Sequence, residues 1–517
     1  MLQGANVWDL VVQRAEATPD ADLAVDQDGR HLTFGELRDR AERVAAGLAA
    51  RGVGEGTVVS WQLPTWLESM VLMAALRRLG AVQNPILPIY RDREVGFVVQ
   101  EAQPRFLVVP GAWRGFDFVA MADELTKGTE TEVLVCDGPG TLPEGEPATL
   151  PPAPTDTMDD PDAPVRWLYY TSGTTASPKG ARHTDLALRS ASVGMSERLG
   201  LSEDDRFALV FPFTHVAGAI YVYAALAYGL TFILDEAFDP STTIDLLRRE
   251  DVTRAGAGTF FHQVYLKAQQ DLPAGEKLFP HVRSFPGGGA PKPPQLHYDM
   301  VAAFDGAGVV SGYGLTEAPI ITMNDGNDPD EVLANTEGRP VAQTTLKLVT
   351  IDGRVAGVGE EGEIRVKGPQ VTKGYLDPKL DADAFDEDGW FRTGDLGTQD
   401  DAGNVTITGR LKDVIIRKGE NISAKEVEDL LFTHPKVADV AVVGLPDAER
   451  GELACAVVVP AAGGDALAME EMKSHLLDAG LITRKLPERL EIVDALPRNP
   501  SGKILKFELQ KRFAPAS

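Results

Sequence analysis

The sequence predicts an α/β protein with two domains of unequal size. Helix-like and strand-like segments alternate through the N-terminal part, which is typical of mostly parallel α/β sheets covered by helices. The pattern becomes β-rich between residues 362 and 374, and a compact α+β pattern follows residue 412. We therefore predict a large N-terminal domain over residues 1–411, including the β-rich part, and a small C-terminal α+β domain over residues 412–517.

The N-terminal elements are predicted from capping signals and from the spacing of apolar residues. Residues 33–36 (TFGE) form a capping-box pattern, in which threonine and glutamate side chains bond each other's main-chain N–H groups. The apolar residues that follow have helical spacing: Leu37, Ala41, Val44, Ala45 and Leu48. Further segments are predicted as a strand (57–63), a helix (66–79) and a buried strand (105–109). The Pro- and Asp-rich residues 147–164 are predicted to be a surface loop that leads into the next strand.

The C-terminal elements follow the same logic. Residues 423–426 (SAKE) are predicted to cap a helix that carries Val427, Leu430 and Leu431. Residues 437–443 and 453–459 are predicted to form a pair of strands. The unit is therefore expected to be a small α+β domain with a core of its own.

Composition excludes several classes of function. The formal charge is −27, and such an acidic surface repels nucleic acid and anionic membranes. The two cysteines, Cys136 and Cys455, are too few for a disulfide framework or a zinc site, and the histidines have no metal-ligand spacing. The N-terminus lacks the basic-then-apolar pattern of a signal peptide, so we expect a cytoplasmic protein.

One uncharged segment, residues 215–234, is about as long as a membrane span. It contains several tyrosines, and no basic cluster flanks it. Gly229 divides it into a helix-like half (219–228) and a strand-like half (230–234). We therefore predict a buried helix and a buried strand, and no integral membrane association.

A loop rich in hydroxyl groups and glycine follows the apolar residues 165–169. Residues 170–180 (YTSGTTASPKG) bring backbone N–H groups, hydroxyls and one lysine together. Such a loop suits a polyphosphate, because anions are held by many N–H and O–H donors together with positive charge. It is not a Walker A loop, since Lys179 lies between Pro178 and Gly180. The alternative, a flexible surface loop, is disfavoured by the strand in front of it.

Five further segments, taken with this loop, resemble the motifs of one superfamily in the same order along the chain. They are residues 287–291 (GGGAP), 311–317 (SGYGLTE), 389–395 (GWFRTGD), 409–413 (GRLKD) and 497–504 (PRNPSGKI). The sequence thus resembles the adenylate-forming superfamily of acyl-CoA synthetases, peptide-synthetase adenylation domains and beetle luciferases. It departs from the usual pattern at Ala176, Ser311 and Leu315, where the superfamily commonly has Gly, Gln and Met.

The resemblance implies a site for Mg·ATP. The residues assigned to the nucleotide are Thr171, Ser172, Gly173, Thr174, Thr175, Lys179, Gly288, Gly289, Ala290, Pro291, Gly312, Tyr313, Gly314, Thr316, Asp395, Arg410 and Lys503. Tyr313 would stack on adenine, Asp395 and Arg410 would contact the ribose, and Thr316 would meet phosphate. Glu317 and Thr174 would bind Mg²⁺, for which a carboxylate is a preferred oxygen ligand.

The resemblance also implies one lysine for each of two half-reactions. Lys503 would bridge the carboxylate substrate and the α-phosphate, where a positive charge between two anions lowers the barrier. Lys418 would face the site after the small, mobile domain rotates about Lys412, and Gly419 would line a tunnel for the thiol. The catalytic set implied in this way is Lys503, Lys418, Thr316, Glu317 and His215.

The acyl pocket is assigned by resemblance to residues 211–218 (FPFTHVAG) and their surroundings. Its residues would be His215, Val216, Gly218, Phe260, Gly287, Gly312 and Leu315, with Phe260, Phe261 and His262 forming a second wall. A core histidine with its hydrogen bonds satisfied is the open alternative for His215. No acidic residue stands where amino-acid-activating relatives place one, which favours a hydrophobic monocarboxylate.

We therefore predict an ATP-dependent acid–thiol ligase. A medium-chain, alicyclic or aryl acid would react with Mg·ATP to give acyl-AMP and pyrophosphate, and coenzyme A would then displace AMP. The expected partners are the carboxylic acid, ATP and CoA, and a homodimer is compatible with the sequence. The alternatives are an acyl-AMP ligase that loads a carrier-protein phosphopantetheine, a luciferase-like oxygenase, and a non-catalytic nucleotide-binding relative.

Overall fold

The structure is a computed structural model that describes residues 1–171, 178–290, 292–417, 420–447, 450–461, 466–498 and 504–514. The helices are α1 (Val7–Ala17), α2 (Phe34–Ala49), α3 (Leu67–Arg78), α4 (Asp92–Ala102), α5 (Phe118–Leu125), α6 (Asp185–Leu199), α7 (Val216–Tyr228), α8 (Pro240–Arg249), α9 (Thr259–Gln270), α10 (Pro294–Ala303), α11 (Asp330–Asn335), α12 (Asp381–Ala384), α13 (Ala424–Phe432), α14 (Met469–Asp478) and α15 (Lys506–Phe513).

The strands of the N-terminal half are β1 (Asp22–Asp26), β2 (His31–Thr33), β3 (Val58–Trp61), β4 (Val82–Pro85), β5 (Phe106–Val109), β6 (Ala112–Trp113), β7 (Phe116–Asp117), β8 (Glu132–Val135), β9 (Trp167–Thr171), β10 (Lys179–His183), β11 (Arg206–Leu209), β12 (Thr231–Leu234) and β13 (Phe285–Gly287). The remaining strands are β14 (Val309–Leu315), β15 (Ala318–Met323), β16 (Arg339–Pro340), β17 (Thr345–Val349), β18 (Gly362–Lys367), β19 (Phe391–Gln399), β20 (Val405–Arg410), β21 (Ile415–Arg417), β22 (Glu420–Ile422), β23 (Val437–Asp447), β24 (Gly451–Pro460) and β25 (Arg489–Ile492).

Two mostly parallel sheets dominate the N-terminal half. One has the order β10-β9-β4-β3-β5-β8 and is parallel except for the β9–β10 hairpin. The other has the order β11-β12-β1-β2 and is parallel except for β1–β2. One continuous apolar core joins both sheets and the helices between them. The α/β fold class predicted from the alternating pattern is confirmed.

Local signals fix several of these elements. Thr33 caps α2 with the full capping box, in which its side chain accepts from the Glu36 main chain and Glu36 bonds back. Helix α7 ends at Gly229, whose φ of 88° is the left-handed conformation that glycine adopts at low cost. The uncharged segment is therefore a 13-residue buried helix followed by β12, and no helix among the described residues is long and apolar enough to span a bilayer.

A third sheet has the order β13-β14-β15-β16 and carries two of the predicted motifs. β13 and β14 are parallel, with Gly287 opposite Ser311, so the glycine loop after β13 emerges beside Gly312. The β14–β15 hairpin places Thr316 and Glu317 at its turn. The pairing of β13 with β14 is what brings the two glycine-rich segments together.

The β-rich part and the C-terminal unit have separate sheets. Strands β17-β18-β19-β20 form an antiparallel sheet, and its apolar cluster also includes residues of β10, β14 and β15. In the C-terminal unit, the order β22-β21-β24-β23, with β25 beside β24, makes one sheet with an apolar cluster on each face. The predicted pair 437–443 and 453–459 is confirmed as β23 and β24, which extend further because they form one long hairpin.

Candidate active site

Three side chains from separate strands meet at the centre of the candidate site. The Tyr313 hydroxyl donates a 2.8 Å hydrogen bond to Asp395 Oδ2, and Arg410 Nε lies 2.9 Å from Asp395 Oδ1. Asp395 and Arg410 face each other because they are paired across β19 and β20. Burial, together with the Asp395 carboxylate, raises the pKa of Tyr313, which keeps its hydroxyl protonated as a donor. The arrangement presents an aromatic ring, a carboxylate and a guanidinium to one point.

The loop that we assign to phosphate connects β9 to β10, and these two strands pair in antiparallel fashion. Thr171, the last residue of β9, is paired with Lys179, the first residue of β10, so both flanks of the loop are fixed. The Lys179 ammonium lies 5.2 Å from the centre of the Tyr375 ring, a distance typical of a cation–π contact. Positive charge is therefore held at the base of the loop.

Thr316 and Glu317 are held at the turn after β14 by groups from other elements. Tyr375 donates a 2.7 Å hydrogen bond to Glu317 Oε1, and His183 Nε2 lies 2.8 Å from the Thr316 carbonyl oxygen. Burial raises the pKa of Glu317 above its ordinary value. The hydrogen bond from Tyr375 and the charge of Lys179 act in the opposite direction, but they do not cancel the effect of burial. The two contacts fix the direction in which this turn faces.

The residues present fit a magnesium ion that is held largely by a nucleotide. Within the described ranges, no three His, Cys, Asp or Glu side chains are grouped so as to hold a metal on their own. Mg²⁺ at ATP sites commonly takes one or two carboxylates together with phosphate oxygens and water. Glu317 provides one carboxylate, next to the lysine and the loop that we assign to phosphate.

The glycine loop after β13 lies against β14. A Cβ atom on Gly288 would be 3.0 Å from the Gly312 carbonyl oxygen, and Gly289 has a φ of 74°. Both positions therefore favour glycine, the first through close approach and the second through its backbone conformation. This packing places the predicted adenine-side loop directly beside Tyr313.

A cleft of about 970 Å³ lies between the large domain and the C-terminal unit. Its predicted site residues are Gly289, Ala290, Gly312, Tyr313, Gly314, Asp395, Arg410 and Lys412. From the C-terminal unit, Arg498 and Ile504 line the same cleft, and they are bridged to each other as an antiparallel pair. The two described residues that flank Lys503 in the sequence therefore both line the cleft.

Two of the predicted acyl residues, His215 and Val216, line a separate small cavity. His215, Val216, Tyr170 and Thr316 surround a small cavity of about 20 Å³. His215 caps α7 by accepting a hydrogen bond from the Ala217 N–H, and burial lowers its pKa to about 4. It is therefore neutral at pH 7, and it serves as a helix cap whatever else it contacts.

Two of the residues expected in the second wall of the acyl pocket are buried. Phe261 is buried in the core against Phe238, and His262 is buried with Nε2 3.1 Å from the Pro286 carbonyl oxygen. These two residues therefore pack in the core, and their place in a second wall of the acyl pocket stays a prediction. Phe260 is partly exposed, and its ring lies 5.9 Å from the Arg498 guanidinium.

Two glycines assigned to the acyl pocket lie where neighbouring atoms leave little room for a side chain, which the sequence did not show. A Cβ atom on Gly218 would lie 2.0 Å from the Phe213 carbonyl oxygen, and one on Gly287 would lie 3.1 Å from His262 Cε1. Leu315 ends β14, where it is paired with Ala318 and packs on the core of the β-rich part.

Some predicted residues fall outside the described residues: Ser172, Gly173, Thr174, Thr175, Pro291, Lys418, Gly419 and Lys503. Conversely, sequence reasoning missed Tyr375 and His183, the groups that hold Glu317 and Thr316. The only available signal for Tyr375 was a glycine before a tyrosine, as in Gly312-Tyr313. That signal does not reveal that Tyr375 contacts a residue 58 positions away.

Comparison with known proteins identifies the family. A family model for AMP-binding enzymes matches residues 11–376, and the model of the C-terminal domain of AMP-binding enzymes matches residues 426–503. The chain belongs to the AMP-binding enzyme family. Its members form acyl adenylates with ATP and Mg²⁺, and they include the acyl-CoA ligases and aryl-AMP ligases.

Individual members of the AMP-binding enzyme family match along most of their length. A medium-chain fatty-acid–CoA ligase from Escherichia coli K12 is 32% identical, over 98% of this chain and 90% of the relative. A salicyl-AMP ligase/salicyl-S-ArCP synthetase from Mycobacterium tuberculosis is 32% identical, over 94% of this chain and 86% of the relative. The crystal structure of ATP-bound MatB from Rhodopseudomonas palustris matches with a TM-score of 0.85 at 30% identity, covering 99% of each chain. The large N-terminal and small C-terminal domains are thus those of an adenylate-forming enzyme.

Proposed function

We propose that this protein is a carboxylic acid–CoA ligase that activates a hydrophobic monocarboxylic acid as its acyl adenylate and then transfers the acyl group to CoA. The observation that carries the proposal is the meeting of Tyr313, Asp395 and Arg410 at a cleft that the C-terminal unit also lines. An aromatic ring, a carboxylate that can accept from two ribose hydroxyls and a neighbouring cation suit the nucleoside part of ATP.

The adenylation step needs charge control more than it needs a protein nucleophile. The carboxylate of the acid attacks the α-phosphorus, the bond to the bridging oxygen breaks, and pyrophosphate leaves with the electron pair. Lys179, beside the loop assigned to phosphate, and Lys503, in the chain between Arg498 and Ile504, are the cations that we assign to this step. Magnesium, when bound, neutralises phosphate charge, and Glu317 is the carboxylate that we assign to hold it.

We also propose that the domain boundary lies between residues 411 and 412, with Lys412 as the hinge. The core of the β-rich part extends to Ile407, and the C-terminal core begins at Ile415. A single 3₁₀ turn, Leu411–Asp413, lies between them. Rotation there would exchange the Lys503 segment for the Lys418 segment at the acyl adenylate.

The proposed acid class rests on the lack of charge around the pocket. Burial lowers the pKa of His215 to about 4 and that of His262 to about 3, so both rings are neutral at pH 7. Val216 and Phe260, which we also assign to the acyl pocket, are apolar. Neutral and apolar side chains at these positions favour a hydrophobic tail over an amino acid or a dicarboxylate.

The test is a panel of aliphatic, alicyclic and aryl acids incubated with Mg·ATP, with AMP and pyrophosphate measured in the presence and absence of CoA. We expect pyrophosphate release with an apolar acid and thioester only with CoA. Pyrophosphate release without thioester formation, together with transfer to a phosphopantetheinylated carrier protein, would instead support the second candidate, which the similarity to the salicyl-AMP ligase favours. Absence of ATP binding by the folded protein would refute both.

A further inference from the structure

A short segment, residues 372–376, is attached to the edge of the strand that begins at Lys179. Leu376 N–H donates to the Gly180 carbonyl (2.9 Å), and Arg182 N–H donates to the Gly374 carbonyl (3.0 Å), with Tyr375 opposite Ala181. The segment is thus an added piece of antiparallel ladder beside β10. Its backbone position is fixed relative to the phosphate loop.

The Tyr375 side chain joins two groups that are far apart in sequence. Its hydroxyl donates to Glu317 Oε1 over 2.7 Å, and the face of its ring lies 5.2 Å from the Lys179 ammonium. Tyr375 is only 3% exposed, so both contacts form away from bulk water, where they are stronger than on a surface.

The same segment also holds the backbone of the Glu317 turn. Thr372 N–H donates a 2.7 Å hydrogen bond to the Glu317 carbonyl oxygen, and the Thr372 hydroxyl donates to the Arg182 carbonyl of β10. The main chain and the carboxylate of Glu317 are therefore both held by a segment that is hydrogen-bonded to β10. These contacts converge on one carboxylate and one ammonium.

We propose that Tyr375 is a positioning residue that orients the Glu317 carboxylate and the Lys179 ammonium relative to each other for Mg·ATP. The inference rests on the proposed function, which assigns Glu317 to the metal and Lys179 to phosphate. Without the phenol, the carboxylate is free to rotate about its terminal bonds, and this freedom has to be lost again when Mg·ATP binds. Without the ring, the lysine loses the surface that holds it at the loop.

The test separates the two contacts by calorimetric titration of the full-length protein with ATP, once with Mg²⁺ and once with EDTA. Tyr375→Phe keeps the ring and removes the hydroxyl; we expect the Kd for Mg·ATP to rise about 10- to 100-fold, as for other groups that orient metal ligands. The Kd for ATP in EDTA should change less than twofold. Tyr375→Leu removes the ring as well and should also weaken ATP binding in EDTA, by about two- to fivefold.

A matched control is Tyr223→Phe, which also removes a buried phenol that donates over 2.8 Å to a carboxylate, that of Asp185. We expect Tyr223→Phe to lower Tm and to leave both Kd values unchanged. A double-mutant cycle with Glu317→Gln adds a readout that a purely structural role does not move. Tyr375→Phe should cause no further loss of Mg·ATP affinity in the Glu317→Gln background.

The outcomes separate the role of Tyr375 from the proposed function on which that role depends. A wild-type protein that binds no ATP refutes the proposed function. A wild-type protein that binds Mg·ATP, with Tyr375→Phe binding it within twofold, overturns the role of Tyr375 alone, and so does full additivity with Glu317→Gln. If Tyr375→Phe does not fold, Tyr375→Leu decides by the same comparison of the two Kd values.

Discussion

The hydroxyl of Tyr313 and the carboxylate of Asp395 lie 2.8 Å apart, although 82 residues separate them in the chain. Arg410 holds the second oxygen of the same carboxylate at 2.9 Å. The ring assigned to adenine and the carboxylate assigned to ribose are therefore fixed relative to each other by protein groups alone. Such preorganisation reduces the ordering that nucleotide binding has to impose.

Replacing Asp395 with Asn should weaken ATP binding about tenfold or more, because hydrogen bonds to an ionised group are lost and Arg410 is left without its partner charge. Calorimetric titration with ATP measures the effect. Asp386→Asn is the control, since Asp386 is paired with Arg365 in the same β-rich part, at 3.0 Å. Equal losses in the two variants would contradict the assignment of Asp395 to the ribose.

Lys503→Ala should reduce acyl-adenylate formation at least about 100-fold, the scale on which loss of one group that stabilises transition-state charge acts. Thioester formation from preformed acyl-AMP should remain largely intact. Both half-reactions are followed separately, by pyrophosphate release and by thioester formation. Lys511→Ala, an exposed position in α15, is the control and should change neither rate. Equal failure of both half-reactions in folded Lys503→Ala would show that its role is misassigned.

Lys418→Ala should have the opposite effect, with adenylate formation retained and thioester formation slowed about 100-fold. The reason is that Lys418 is assigned to the domain orientation that follows rotation about Lys412, in which the thioester forms. The two lysine variants serve as controls for each other in the same pair of assays. Normal thioester turnover in Lys418→Ala would remove this residue from the scheme.

Stability should fall in acid because of buried neutral histidines. Burial lowers the pKa of His262 to about 3, below its value of about 6.5 in an unfolded chain. Between these two values the unfolded state binds more protons than the folded state, so the free energy of unfolding decreases as pH falls. One such group accounts for about 2 kcal/mol between pH 7 and pH 5.

Urea unfolding of the wild type and of His262→Asn at pH 7 and pH 5 measures this contribution. The variant should lose less stability between the two pH values, whatever its stability at pH 7. His281→Asn is the control, because His281 is exposed at the surface. An unchanged pH dependence in His262→Asn would contradict the expected sign.

Local signals in the sequence predicted the elements that local interactions determine. The capping box at Thr33 and Glu36, the helix end at Gly229 and the hairpin of β23 and β24 all depend on residues near each other in the chain. Periodicity and capping chemistry are sufficient in such cases. The α/β class followed from the same information.

Contacts between distant segments were not available from those signals. The bond between Tyr375 and Glu317 depends on how residues 372–376 are attached to β10, and no periodic pattern encodes that attachment. The orientation of Phe261 depends in the same way on the rotation of α9 against Phe238. Tertiary packing decides both, and motif spacing can identify a site without identifying the groups that support it.

Arg410 is the last residue of β20 and directly precedes the 3₁₀ turn at Leu411–Asp413. The group that we assign to the ribose is therefore attached directly to the connector between the domains. If the connector rotates while nucleotide is bound, the Arg410 guanidinium must either move with the connector or oppose the rotation. Thermodynamic reciprocity then applies. If bound adenosine shifts the equilibrium between the two domain orientations by a given free energy, the affinities of those two orientations for adenosine differ by the same free energy.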